Sequence, residues 1–214
     1  HAHTVSIFGG AGNDKIIGGG GNDFLSGGDG DDEIVGDDGD SFLVGGAGND
    51  RLVANGVGIF SINGGAGDDW LQGGDGTNMI YGNEGNDLIY GGALTDYLFG
   101  GEGDDLIYGL AGDDVIHGEE GLDTLDGGGG NDELWGNRSP TFSKEWTHYP
   151  EPYANILLGG PGNDELHGSS GPDHFSGGHG IDSIHGYDGD DSLIDGAHND
   201  GDQLDSIEIF PPGY

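Results

Sequence analysis

Aspartate recurs at every ninth residue through most of this chain, and that spacing is the first pointer to its chemistry. From Gly82 to His117 the sequence reads GNEGNDLIY, GGALTDYLF, GGEGDDLIY, GLAGDDVIH, with Asp87, Asp96, Asp105 and Asp114 sixth in their units. Carboxylates at fixed intervals suit two kinds of work. They bind hard cations through oxygen, or they act in pairs as acid and base across a scissile bond. Acid–base work needs a shaped cleft and two unlike environments, and a regular lattice of identical acids implies neither. The chain also contains no H-E-x-x-H and no G-x-S-x-G, the motifs that would place a catalytic zinc or a nucleophilic serine. The expectation is a cation binder and not an enzyme.

The elements that must position these acids follow from the period. Glycine opens each unit and a branched aliphatic, leucine or phenylalanine stands eighth. A fixed short repeat marks a solenoid, and nine residues hold one tight turn and one short strand. The frame runs unbroken over residues 9–53, 64–135 and 159–194, which is 17 units. Position eight is Leu, Ile or Phe in every one, and the sixth-position acid fails only at Ser41 and Asn78. A disordered Gly/Asp linker would keep no fixed apolar position. The predicted fold is therefore all-β: a parallel β-roll, or β-helix, solenoid of 17 regular nonapeptide units forming one domain over 1–214.

Charge narrows the partners. The chain has 41 acids against 4 bases, a formal charge of −37, and 52 glycines. Such a surface repels nucleic acid and anionic membrane alike. No run of 18 apolar residues is present for a membrane-spanning helix. Cysteine is absent, and no secretory signal peptide opens the sequence, which fits a mature or excised chain or export by another route. Composition of this kind normally means disorder. One buried aliphatic per nine residues falls short of the entropy of ordering a glycine-rich unit. Something else must hold the chain together. A divalent cation does so when its site exists only in the folded state, and calcium best suits carboxylates and turn carbonyls in flexible geometry.

These nonapeptides resemble those of the RTX (repeats-in-toxin) family of secreted bacterial proteins, for which G-G-x-G-x-D-x-U-x is the known sign of a calcium-binding parallel β-helix. The resemblance implies calcium held between turns of units i and i+2, by turn carbonyls and the sixth-position aspartates. Those are Asp14, Asp23, Asp32, Asp50, Asp69, Asp87, Asp96, Asp105, Asp114, Asp123, Asp132, Asp164, Asp173, Asp182 and Asp191. On the order of ten ions is implied, with weaker or empty sites beside Ser41, Asn78 and the glycine-replacing Leu94. It also implies type I secretion, folding on extracellular calcium and an extracellular location.

The remaining stretches carry finer expectations. Residues 1–8 read as a first, acid-free strand, and His1-Ala2-His3 would chelate copper or nickel if His1 is a free N-terminus. Strand alternation puts Lys15, Glu33 and Arg51 in one outward row, with Phe24 over Phe42 on the other sheet. Residues 54–63 read as an irregular turn without strong metal binding. In the second tract, outward Trp70, Leu88, Tyr90, Leu106 and Tyr108 face one way; Met79, Tyr81, Tyr97, Phe99, Val115 and His117 face the other. These rows either stiffen the sheets or dock a partner. Residues 136–158 form an inserted loop or hairpin. Its Arg138, Phe142, Trp146, Tyr149 and Tyr153, with Tyr90 and Tyr108 of the roll, are the candidate partner-binding residues unless the loop covers its own roll. The third tract is rich in histidine, His167, His174, His179 and His185 with His198 beyond; His167 and His185 should stack, as separate polar residues or as a transition-metal site. Residues 195–214 read as a cap.

Three functional readings follow. The first is a calcium-binding extracellular structural or adhesive module that self-associates or binds a cell-surface or matrix partner. The second is a non-catalytic C-terminal module of a type I secreted protease, lipase or epimerase. The third is glycan binding through the 136–158 insertion.

Overall fold

The computed structural model describes residues 3–136, 154–187, 189–194 and 202–205. Arg138, Phe142, Trp146, Tyr149 and Tyr153 lie outside them, as do His1, His198, and Ile207, Ile209 and Phe210 of the tail. Successive strands alternate between two parallel sheets, one of eleven strands and one of ten. The first begins with Ser6–Ala11, Phe24–Asp29 and Phe42–Ala47; the second begins with Lys15–Ile17, Glu33–Gly36 and Arg51–Ala54. Strands two units apart therefore pair in register, as Leu88, Ile89 and Tyr90 do with Leu106, Ile107 and Tyr108. The all-β parallel roll predicted from the period is what the chain forms.

Inside, the eighth positions stack into two apolar ladders. Leu25, Leu43, Ile62, Ile80, Leu98 and Ile116 line one sheet; Ile34, Leu52, Leu71, Ile89 and Ile107 line the other, all fully buried. In most strands the core is one side chain thick, because alternation turns the eighth-position residue inward and the next inward position is a glycine, as with Leu25 and Gly27.

Two irregularities are absorbed without loss of pairing. Between 54 and 63 the offset from rung to rung grows from 18 to 19 residues. Across the insertion it grows to 32, yet Leu125 still faces Leu157 and Leu134 still faces Leu166. The tail contributes one rung more than expected, since Gln203–Asp205 pairs with Ser183–His185. Its signal, Asp202-Gln203-Leu204, was present in the sequence but off the nine-residue frame.

Outward rows form as the alternation requires. Lys15 Nζ is 2.6 Å from Glu33 Oε2, Arg51 reaches Glu33 at 3.8 Å, and the Arg51 guanidinium lies 4.3 Å from the centre of the Trp70 ring. Tyr90 stacks on Tyr108 at 5.1 Å, and Tyr81 on Phe99 at 4.9 Å. Such contacts stiffen a sheet through same-face neighbours.

Candidate functional site

The turns stack along two edges of the roll, and each edge carries its own column of sixth-position residues. One column runs Asp14, Asp32, Asp50, Asp69, Asp87, Asp105, Asp123, Asn155, Asp173, Asp191. The other runs Asp23, Ser41, Phe60, Asn78, Asp96, Asp114, Asp132, Asp164, Asp182, Asp202. The rung-to-rung hydrogen bonds define both orders. Asp14 N–H donates to Asp32 Oδ1 (2.7 Å), Asp69 N–H to Asp87 Oδ1 (2.8 Å), and Asp96 N–H to Asp114 Oδ1 (2.8 Å).

One carboxylate oxygen is thereby used and the other is not. From Asp14 to Asp164, Oδ2 of every sixth-position aspartate is buried without a hydrogen-bond partner. A buried polar atom left alone is costly and calls for a cause. These oxygens point into cradles formed by the opening glycines: a Cβ on Gly91 would lie 2.6 Å from both Asp96 Oδ2 and the Gly109 carbonyl oxygen. Other turn glycines meet a second demand, a left-handed backbone, with φ of 129° at Gly46 and 128° at Gly48. Buried carboxylate oxygens beside turn carbonyls fit a hard cation with flexible coordination, as calcium is. Zinc would want nitrogen or sulfur.

Electrostatics point the same way. Burial pushes the carboxyls up, to about 6 at Asp50, Asp87 and Asp96, and to about 7 at Asp69, Asp114, Asp123, Asp132 and Asp164. At Asp105, burial and then the neighbouring Asp123 and Asp87 charges push it to about 8, against the pull of a backbone hydrogen bond. Without a cation the folded roll thus binds more protons than the unfolded chain. Its stability is full below about pH 4 and is lost as pH rises through these values. In EGTA, the β-sheet circular dichroism is expected to strengthen on acidification from pH 8 to pH 4.5. An unchanged or weaker signal at pH 4.5 would contradict the burial of these carboxyls.

Where the acid is missing, something else fills its place. The Asn78 side-chain amide donates to the carbonyls of Gly74 (3.1 Å) and Gly76 (2.9 Å) and to Asp96 Oδ1 (2.8 Å). One NH2 group thus meets three converging oxygens. Phe60, in the stretch 59–62 that reads as a strand, takes the sixth position between Ser41 and Asn78. It is fully buried, and a Cβ on Gly36 or Gly74 would touch its ring at 3.1 or 3.2 Å. Three successive rungs of one edge therefore lack the acid: Ser41, Phe60 and Asn78 stand in line, the middle one supplied by the irregular 54–63 stretch. On the other edge Asn155 interrupts the column. It accepts from Asp123 N–H (3.0 Å), and its own N–H donates to Asp173 Oδ1 (2.7 Å).

Asp173 differs from its fellows. Its Oδ2 accepts from the Ser169 amide (2.5 Å) and hydroxyl (3.0 Å), because the turn reads GSSG instead of GGxG. Beside Leu94, Asp96 Oδ2 is as buried and unpartnered as the rest. A fifth-position ladder also escaped the sequence reading. Asp31 N–H donates to Asn13 Oδ1 (3.1 Å), Asn49 N–H to Asp31 Oδ1 (3.0 Å), and Asp68 N–H to Asn49 Oδ1 (3.1 Å). Alternation of Asn with Asp halves the charge of that column.

A model of the RTX calcium-binding nonapeptide repeat, four copies long, matches residues 6–34, 26–56, 63–98, 90–125, 111–138, 152–184 and 176–200. The chain belongs to the RTX family. No curated protein matches the chain. RTX repeats bind calcium, so this is a calcium-binding β-roll module. The family is a repeat module, typically non-catalytic, and its members are typically secreted by type I systems. Of the candidate partner-binding residues within the described part of the RTX roll, Tyr90 and Tyr108 are half-buried against each other.

Proposed function

We propose that this RTX roll folds on calcium held by the sixth-position aspartates of its two edges and serves outside the cell as a structural, self-associating module. The observation that supports the metal assignment is the file of buried Oδ2 atoms, each facing a glycine cradle and without a protein partner. We leave Asp173 out of the ligand set we propose, because its Oδ2 already accepts from Ser169. Type I secretion, typical of the family, supports an extracellular place, where calcium modules work at dissociation constants of about 10⁻⁴–10⁻³ M. Self-association draws support from outward Phe8, Phe24 and Phe42: Phe8 tilts against Phe24 at 5.4 Å, Phe24 stacks on Phe42 at 5.5 Å, and they stay 68%, 36% and 40% exposed.

One preparation tests both parts. Equilibrium dialysis at millimolar calcium is expected to count on the order of ten ions per chain. Sedimentation of the same sample is expected to show species that grow with protein concentration and vanish in EGTA. A count of one or two ions would overturn the edge assignment. A monodisperse monomer at millimolar calcium would overturn the assembly.

A further inference from the structure

The outward ninth positions of the eleven-stranded sheet bring together groups that calcium does not use. Trp135, His167 and His185 occupy successive rungs. Their rings stack with centroids 3.7 Å and then 4.9 Å apart. Glu165, two residues before His167, projects from the same face of its strand. Its Oε1 lies 3.0 Å from His167 Nε2. The donor atoms of Glu165, His167 and His185 all fall within 4.8 Å of one another.

The surroundings hold these donors ready. His167 Nδ1 is 2.8 Å from the Tyr187 hydroxyl, and His185 Nε2 is 3.1 Å from Ser183 Oγ. A partner on the far ring nitrogen is what orients a metal-bound imidazole. The Trp135 ring lies parallel to His167, at 3°, and closes its other face. The Glu165 side chain is 54% exposed, against 7% for His167, so the cluster is open to solvent on one side only.

We propose that Glu165, His167 and His185 form a site for one borderline transition-metal dication, of which zinc is the probe, separate from the turn carboxylates. Two imidazoles and a carboxylate form a donor set that zinc accepts with water completing the shell. Calcium takes oxygen and leaves imidazole alone, so both ions can be bound at once. Tetrahedral bonds of about 2.0–2.1 Å need donors roughly 3.4 Å apart. The exposed Glu165 carboxylate and the outward His185 ring can swing that far, while His167 stays clamped.

The test is calorimetric titration of zinc into the protein kept at millimolar calcium. One stoichiometric site is expected. Glu165→Gln and His185→Asn should each weaken it by at least about tenfold. His174→Asn, on the opposite sheet and bonded to Ser192 at 2.6 Å, should leave it unchanged. Circular dichroism in calcium checks that each variant keeps the fold. Nickel gives a second readout, because a quencher bound at His167 sits against Trp135, and the quenching should be lost in Trp135→Phe. Absence of a stoichiometric zinc site, or unchanged affinity in either cluster variant, would overturn the proposal, since the metal would then lie elsewhere, as among the turn acids.

Discussion

Exhaustive chelation with EGTA at pH 7.5 is expected to abolish the β-sheet signal of the calcium-loaded roll, and returning calcium should restore it. Stacked rungs bring like-charged turn carboxylates to about 4.8 Å spacing along an edge. Burial has already taken them out of water, which is why their protonation is driven toward neutral pH. Among the described residues no Lys or Arg opposes them: of the 4 in the chain, Lys15 and Arg51 sit on an outer face with Glu33. The thin core cannot compensate, since most strands turn a single large side chain inward. The two edges should answer differently to substitution. Asp105→Ala interrupts an uninterrupted run from Asp14 to Asp123 and should raise the calcium needed for half-folding several-fold. Asp23→Ala, next to Ser41 on the interrupted edge, should raise it less. A roll fully ordered after chelation, or equal midpoints for the two variants, would remove calcium from its central place.

Phe60→Ala should destabilise the calcium-saturated roll by about 3–5 kcal/mol, the usual cost of truncating a fully buried phenylalanine. Urea unfolding in excess calcium measures it. The ring stands where three rungs in a row lack the acid, filling the space between the Gly36 and Gly74 turns. That part of the edge is held by apolar packing and by the Asn78 amide, so the number of bound ions should not change. A loss below about 1 kcal/mol, or the loss of ions with the ring, would show that Phe60 does not substitute for a metal-bound turn.

The division between sequence and tertiary structure is clear in these two experiments. A nine-residue period with glycine first and an aliphatic eighth leaves the chain one option, a turn and a short strand. Alternation then dictates which side chains face in. The ladder of Ile89, Ile107 and their neighbours, the Lys15–Glu33–Arg51 row and the His167–His185 stack were all legible from spacing, because each depends only on contacts between units two apart. What spacing could not reveal lies where the offset departs from 18. One extra residue before Phe60 and a longer excursion before Asn155 leave the sheets paired but bring unexpected residues into the acid columns. The choice between metal and protein as partner was also beyond the sequence. Asp96 and Asp173 occupy the same position in their units, yet a serine hydroxyl and amide satisfy only the second. Local repetition determined the roll; three-dimensional neighbours decided which of its buried carboxylate oxygens lack a protein partner, because a buried oxygen takes whatever donor the adjoining turn presents.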